Sequence, residues 1–398
     1  MSQSVRCPVP EAVIVSAVRT PIATARKGTL SETPAEELAT HVLVEAVRRS
    51  GLAPEEFDDV MLAESMYGGG DLARYAAVAA GMTQVAGQAV NRHCAGSLTT
   101  VGNAAASIRA GMDRAVVAGG VQSSSLGPQL TWRVPGTADE TQTRMAPTFP
   151  HTEDANDDVT LSVGWNLAVK YGLSREAMDA WAVRSHARAV AAIDAGVFEA
   201  EIAPIKVTTT DGSVTEFAVD EDPRRDSTME KAARLKPLHP EIEGFSITAA
   251  NASGVNDAAA ALALASDAFA AEKGLTALGS VRAWAAAGVQ PKYTGDGALD
   301  SIRKVLPRAG LSVADVHLWE INEAFASVPV AACQELGIDE ELVNIYGSGC
   351  SLGHPVAASG ARMLATLTHE LRRRGGGIGV AAMCAGGGQG GAVVIEVS

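Results

Sequence analysis

Apolar positions in this chain gather into short continuous runs separated by helical stretches, the pattern of strands buried on both faces beneath covering helices. The first run is Ala12-Val-Ile-Val-Ser16. Further on, Gly51-Leu52 is followed by the acidic Glu55-Glu-Phe-Asp-Asp59 and then by Val60-Met-Leu-Ala63. Much later, Gly310-Leu311 is followed by Asp315 and then by Val316-His-Leu-Trp319. Both segments read as helix end, turn and buried strand. Each leads to a helix of small residues and an apolar strand ending in glycine, at 115–120 in one half and 380–386 in the other. The order of elements repeats, which predicts an α/β protein of two duplicated layer units with mainly parallel sheets.

Between the halves the texture changes. Residues 126–158 hold four prolines among Asp, Glu, Thr and Asn, as a long surface excursion does. A helix is predicted at about 174–195, with Ser174 as its cap and Glu176 in its first turn. The expected organisation is an N-terminal half over 1–125, an inserted loop domain over 126–245 and a C-terminal half over 246–398.

With 398 residues, 47% of them hydrophobic, the chain buries a large core without help from disulfides. Its cysteines, Cys7, Cys94, Cys333, Cys350 and Cys384, are odd in number and never in Cys-x-x-Cys spacing, so neither a disulfide framework nor a zinc site is suggested. Free thiols fit a reducing cytoplasm. The N-terminus lacks an apolar signal core and no stretch is long enough to span a bilayer, so no membrane association is expected. A net charge of −14 argues against nucleic acid, and the short run Arg372-Arg-Arg374 fits the basic end of a helix. An acidic chain still binds an anionic ligand where a few cations and backbone N–H groups gather at one mouth.

Five segments bear on chemistry. Cys94 stands where a short strand gives way to a helix of Ala, Gly, Ser, Thr and Val, and a helix N-terminus lowers a thiol pKa. Taken singly, it reads equally as one more small buried residue. His354 in Gly353-His-Pro355 sits at a helix entrance, in the same relation to its half as Cys94 to the first; singly it reads as a capping or core histidine. Cys384 ends a strand that opens onto Gly386-Gly-Gly388, whose bare N–H groups suit an oxyanion hole. Asn322 in Ile321-Asn-Glu-Ala-Phe325 is either a helix cap or an amide that holds a water toward a carbonyl. The fifth segment, His151-Thr-Glu153-Asp154 with Asp157 and Asp158, reads as a solvated acidic turn before it reads as a metal site. Gly347-Ser-Gly349 mimics a dinucleotide loop with the wrong glycine spacing and no acidic strand end beyond it. His93 is a rival base to His354, but neighbours at a strand end point apart, which favours His354.

In order along the chain, Val13-Ile-Val-Ser-Ala-Val-Arg-Thr-Pro21, the Cys94 segment, Gly119-Gly-Val-Gln-Ser123, Ser227-Thr-Met-Glu-Lys-Ala-Ala-Arg-Leu-Lys-Pro237, Thr248-Ala-Ala-Asn-Ala-Ser253, Asn322-Glu-Ala-Phe325, Gly353-His-Pro355 and Cys384-Ala-Gly-Gly-Gly-Gln-Gly390 resemble the thiolase family of acetyl-CoA acetyltransferases and 3-ketoacyl-CoA thiolases. The resemblance implies a five-layer αβαβα fold with an inserted loop domain that binds coenzyme A, and a homodimer or homotetramer. It implies coenzyme A and acyl-CoA as substrates, with no permanently bound cofactor. It assigns Cys94 as the nucleophile that carries the acyl group, His354 as its base and Cys384 as the acid/base at the α-carbon. His354 and a water on Asn322 would stabilise the enolate, and the N–H groups of Cys94 and Gly386 the tetrahedral oxyanion. Ser253 would contact the pantetheine arm and Arg224 would lie near the adenine end.

A ketoacyl synthase of the same fold would not need Cys384 beside the glycine run, and a non-catalytic relative would not need these four side chains together. Two positions depart from the family pattern. Cys94-Ala-Gly-Ser97 replaces the usual Cys-x-Ser-Gly, and Val159-Thr160-Leu161 stands where many members have His-Met-Gly at the acyl pocket. With Trp165 in the next turn, the added apolar surface predicts acyl chains longer than acetoacetyl-CoA, by about 0.8 kcal/mol per buried methylene.

Overall fold

The structure, a computed structural model, describes residues 9–152, 155–208 and 212–398; Cys7, Glu153 and Asp154 lie outside them. The long strands of its main sheet are β1 Ala12–Arg19, β2 Asp59–Glu64, β3 Ala86–Val90, β4 Ala115–Gln122, β5 Asn256–Ser266, β6 Gly279–Gly288, β7 Leu318–Ile321, β8 Gly377–Ala385 and β9 Gln389–Val397, and the short Ala23–Thr24 pairs with the start of β5. Hydrogen bonds link them in the order β7-β8-β9-β6-β1-β5-β4-β2-β3. The path divides where β1 meets β6, at Val13 with Ser280 and Ile14 with Gly279.

The two sets of strands lie over one another with helices α3 Gly96–Arg109 and α7 Ser359–Arg373 between them, packed against both. Helices α1 Ala35–Ser50 and α2 Leu72–Ala79 cover the outer face of one set. Helices α5 Asp296–Ala309 and α6 Ser327–Leu336 cover the outer face of the other. The remaining long helix, α4 Arg175–Asp194, belongs to the inserted segment. Five layers result, as expected. Strand alternation explains the continuous apolar runs: Val13 and Val15 face α1 and α2, while Ala12 and Ile14 face the central helices.

The expectation of mainly parallel sheets is corrected. β2 runs parallel to β3 and β4, and β7 to β8, but β5 is antiparallel to β1 and β4, and β9 to β8 and β6. Only residues 386–388 join β8 to β9, enough for a hairpin and too few for a parallel crossover. At the equivalent hairpin of the first half, between β4 and β5, residues 123–255 are inserted. The boundary expected at 246 therefore puts β5 with the C-terminal half, whereas its ladders are with β1 and β4 of the first.

Small residues let the central helices approach. A Cβ on Gly96 would lie 2.7 Å from the Ala63 side chain, and one on Gly360 would lie 2.7 Å from the Leu98 backbone nitrogen. Ser97 Oγ accepts the Ala361 N–H at 2.9 Å, tying α3 to α7. The unusual Gly96-Ser97 order is accommodated in this way, the glycine against β2 and the hydroxyl against α7.

In the inserted segment, Ser174 Oγ caps α4 by accepting the Ala177 N–H at 3.1 Å, as predicted. The segment is anchored by Arg19, fully buried at the end of β1. Arg19 donates two bonds to Asp220, at 2.7 and 2.8 Å, and one to Glu201 at 2.7 Å. Among the described residues no helix is long and apolar enough to cross a membrane.

Candidate active site

Cys94 lies in a single 3-10 turn, His93–Ala95, that runs directly into α3 and packs against β8 and α7. Asn91 Oδ1 accepts the His93 N–H at 2.9 Å, and Arg92 reaches forward to Thr99 Oγ1 at 2.9 Å, so the turn is held from both sides. His93 takes φ +44°, a left-handed conformation that costs a non-glycine residue about 1–3 kcal/mol. Strain of that size one residue before a half-buried thiol marks a position fixed by its surroundings.

The N–H groups of Gly386 and of Cys94 itself act to lower the Cys94 thiol. Burial nevertheless dominates and pushes the thiol up to about 11. The helix-terminus argument predicts the opposite direction; it fails because losing the thiolate's hydration outweighs two N–H contacts. Cys384, buried near the end of β8, is pushed up still further, by burial first and then by the Cys94 sulfur beside it. Gly387 and Gly388 turn the chain from β8 into β9 with φ of +80° and +76°, which leaves the Gly386 N–H directed at Cys94.

His354 enters the site from the other half. Gly353 before it has φ +103°, and a Cβ there would lie 2.6 Å from the Asn256 side chain. Asn256 Oδ1 accepts the His354 N–H at 2.9 Å. The ring is buried, with Nδ1 2.6 Å from Ser359 Oγ. Burial first, and then the Arg362 cation, lowers its pKa to about 3, so the imidazole is neutral at neutral pH. Asn322 follows β7, and its N–H donates to Ala382 O at 3.0 Å, two residues short of Cys384 on the adjoining strand. Its Nδ2 stands 3.4 Å from both ring nitrogens of His354, while its buried Oδ1 meets no protein donor. Glu323 fixes this turn by accepting from Trp181, Ser185, Asn344 and the Cys350 N–H at 2.7–3.1 Å.

The fold thus gathers Cys94, Cys384 and Gly386 around one sulfur, and His354 with Asn322 beside the same strand. Ser253 lies next to them in the backbone, its N–H donating to Ala324 O at 2.9 Å. Arg224 is farther out, on a cavity of about 220 Å³ lined also by His186, Ser227, Lys231 and Ala250. Its N–H donates to His186 Nδ1 at 3.0 Å, and burial together with the Arg224 charge lowers that histidine to about 4. His186, Lys231 and Ser359 were not among the residues expected here. Ser359 at the first position of a helix, five residues past His354, was the one visible signal.

Both ring nitrogens of His93 are engaged, Nδ1 with Ser65 Oγ at 3.2 Å and Nε2 with Thr148 Oγ1 at 2.9 Å. Among the described residues no three His, Cys, Asp or Glu side chains meet as metal ligands would. Trp165 stacks on Phe245 at 5.1 Å, Thr160 bonds Asp158 and His239, and neither lines a cavity described here. A cavity of about 620 Å³ is lined by His93 together with Met66, Leu130, Trp132, Met145 and Thr148.

Comparison with known proteins gives the same picture over the whole chain. Residues 12–268 match the family model for the thiolase N-terminal domain, and residues 275–397 that for the thiolase C-terminal domain. The cytosolic acetyl-CoA acetyltransferase of Mus musculus is 40% identical, with 96% of this chain and 98% of that protein covered. The crystal structure of the Bacillus anthracis acetyl-CoA acetyltransferase superposes with a TM-score of 0.90 at 39% identity, covering 98% of this chain and 99% of that one. Human mitochondrial 3-ketoacyl-CoA thiolase gives 0.87 at 32% identity, covering 98% and 100%. With matched models spanning nearly its full length, an αβαβα architecture, and two cysteines and a neutral histidine gathered at the ends of its central helices and strands, the chain belongs to the thiolase family.

Proposed function

We propose that this enzyme moves acyl groups between coenzyme A thioesters with Cys94 as the acyl carrier, His354 as its base and Cys384 as the proton-transfer group at the α-carbon. The reaction class is that of the family: reversible thiolytic cleavage of 3-ketoacyl-CoA, or Claisen condensation in reverse, catalysed by an acyltransferase. In the first half-reaction the Cys94 sulfur attacks a thioester carbonyl while His354 takes its proton. The oxyanion is held by the N–H groups of Cys94 and Gly386, and the departing coenzyme A sulfur recovers the proton. In the second, Cys384 passes its proton to His354 and as thiolate removes an α-proton from acetyl-CoA; the imidazolium N–H with a water on Asn322 stabilises the enolate, which attacks the acyl-cysteine, and the Cys94 sulfur so released takes the proton back from His354.

The observation that carries this reading is the packing of the turn that holds Cys94 against β8, the strand that carries Cys384, with Gly386 lying against His93 of that turn. Pairing an uncharged thiol with a neutral imidazole suits it further, because the proton then moves only as the carbon–sulfur bond forms. For coenzyme A, support comes from the cavity with Arg224, Ser227 and Lys231, which offers cations at one mouth of an acidic chain, and from Ser253 between that cavity and Asn322. The substrates are thus coenzyme A thioesters, with no permanently bound cofactor, and the free thiols suit a reducing compartment such as the cytoplasm. A homodimer or homotetramer fits the edge strand β3, which among the described residues pairs only with β2.

The test is incubation with acetyl-CoA followed by peptide mass spectrometry. An acyl adduct is expected on Cys94 and none in Cys94→Ala; Cys384→Ala should still acylate while losing α-proton exchange. An adduct confined to another cysteine would refute the assignment.

For the acyl group, support for chains longer than acetoacetyl-CoA now rests on the 620 Å³ cavity that begins at His93, not on Trp165. Thiolysis assays along a chain-length series should peak above acetoacetyl-CoA. A maximum at acetoacetyl-CoA with steady decline would overturn the substrate reading and leave the reaction class intact.

A further inference from the structure

We propose that Ser359 is a positioning residue that fixes the proton of His354 on Nδ1 and so keeps the lone pair on Nε2 to take the Cys94 proton, an inference that rests on the assignment of His354 as the base. Ser359 is fully buried, and its Oγ lies 2.6 Å from His354 Nδ1 and 3.1 Å from Pro355 O. A neutral imidazole carries one ring proton and a hydroxyl carries one. The carbonyl can only accept. Sending the hydroxyl proton to Pro355 O, which also accepts the Ala358 and Ser359 N–H groups at 2.8 and 3.0 Å, makes Nδ1–H the donor to Ser359 Oγ. In the reverse arrangement the hydroxyl donates to Nδ1, the ring proton sits on Nε2, and the imidazole has no lone pair left with which to take the Cys94 proton.

The remaining contacts around the ring do not set this proton. The His354 main-chain N–H is occupied by Asn256 Oδ1 at 2.9 Å, which fixes where the residue starts but not how the ring is protonated. The Asn322 amide nitrogen lies 3.4 Å from both ring nitrogens, so it does not discriminate between them. Only Ser359 contacts one nitrogen at short range. It is the first residue of α7, and Arg362 one turn later is held by Glu320 at 2.7 Å and by Ser348 at 2.8 Å. The helix end that presents the hydroxyl is therefore rigidly seated. A base whose second nitrogen is engaged in this way keeps both its tautomer and its ring orientation.

Three readouts test the idea together. NMR of isotope-labelled histidine ring nitrogens in the full-length wild type should show His354 as the Nδ1–H tautomer, and in Ser359→Ala a mixture. The rate of Cys94 acylation by acetyl-CoA should fall about 10- to 100-fold in Ser359→Ala, as for a misplaced catalytic group, with KM nearly unchanged. Ser359→Thr, which keeps a hydroxyl, should recover most of the rate, and thermal unfolding of each variant separates this from loss of fold. A wild-type Nε2–H tautomer, or a folded Ser359→Ala that acylates at the wild-type rate, overturns the proposal. His354→Ala measured alongside distinguishes the two levels: if it acylates normally, the assignment of His354 as base is what fails.

Discussion

His354 and Cys94 are ordinary titratable groups that the site moves in opposite directions. Burial lowers the imidazole from 6.5 to about 3 and raises the thiol from 9.0 to about 11, because each loses the water that stabilises its charged form. Below about 3 His354 gains a proton and can no longer serve as the proposed base; above about 11 Cys94 loses its proton before any substrate arrives. Between those limits both are neutral and the pair is competent. The acylation rate of Cys94 at subsaturating acetyl-CoA should therefore be flat through neutral pH. A stopped-flow or quench pH series checks this, and an inflection near the ordinary histidine value would show that the ring is hydrated and not buried as described.

The central helices bring the two halves of the site into register. Cys94 stands at the head of α3 and His354 at the approach to α7, and the helices touch where Gly360 lies against Ser97 and Leu98. A Cβ on Gly360 would fall 2.7 Å from Leu98 and 2.9 Å from the Ser97 hydroxyl, within contact distances that a packed core does not allow. Gly360→Ala should cost about 1–3 kcal/mol of stability by overpacking. Because the displacement falls between Cys94 and His354, the proposed nucleophile and base, acylation should drop by more than the stability loss explains. Denaturant unfolding and acylation rates measured on the same preparation decide this; equal behaviour of variant and wild type would mean that the helices adjust freely. The same contact explains why α3 is made of small residues.

Across the whole molecule, the inserted segment is secured to the catalytic layers by buried polar groups. Arg19 at the end of β1 is enclosed by Asp220 and Glu201, both buried, and lies 5.0 Å over the Phe198 ring. Arg19→Ala would leave two carboxylates buried without their cation, a loss of about 3–5 kcal/mol. It should lower the unfolding midpoint and, since the segment also carries Arg224 and the cavity around it, raise KM for acetyl-CoA more than it lowers kcat. Calorimetry and steady-state kinetics read the two effects separately, and a variant with unchanged KM would show that the segment is held elsewhere.

Much of this molecule is set by local sequence. The apolar runs of β1, β4 and β8 read as strands from their own residues, and Gly353-His354-Pro355 and the small-residue helix after Cys94 mark two helix entrances; β5, built of alanine and leucine that favour helix, is a strand only because β1 and β4 pair with it on either side. The family motifs spread along the chain carry the fold and the names of the site residues. Strand direction was not so readable, since β5 and β9 run antiparallel for a reason that lies in how far apart their partners are along the chain. The boundary expected at 246 misses β5 on the same ground: its partners lie more than a hundred residues upstream. The sign of the Cys94 shift also needed three dimensions, because a helix terminus is visible in the sequence while the desolvation that outweighs it depends on everything packed around the sulfur. So did the partnerships of His354 with Ser359 and of Arg224 with His186. Backbone preference is a property of neighbours along the chain; hydration and hydrogen-bond partners are properties of neighbours in space.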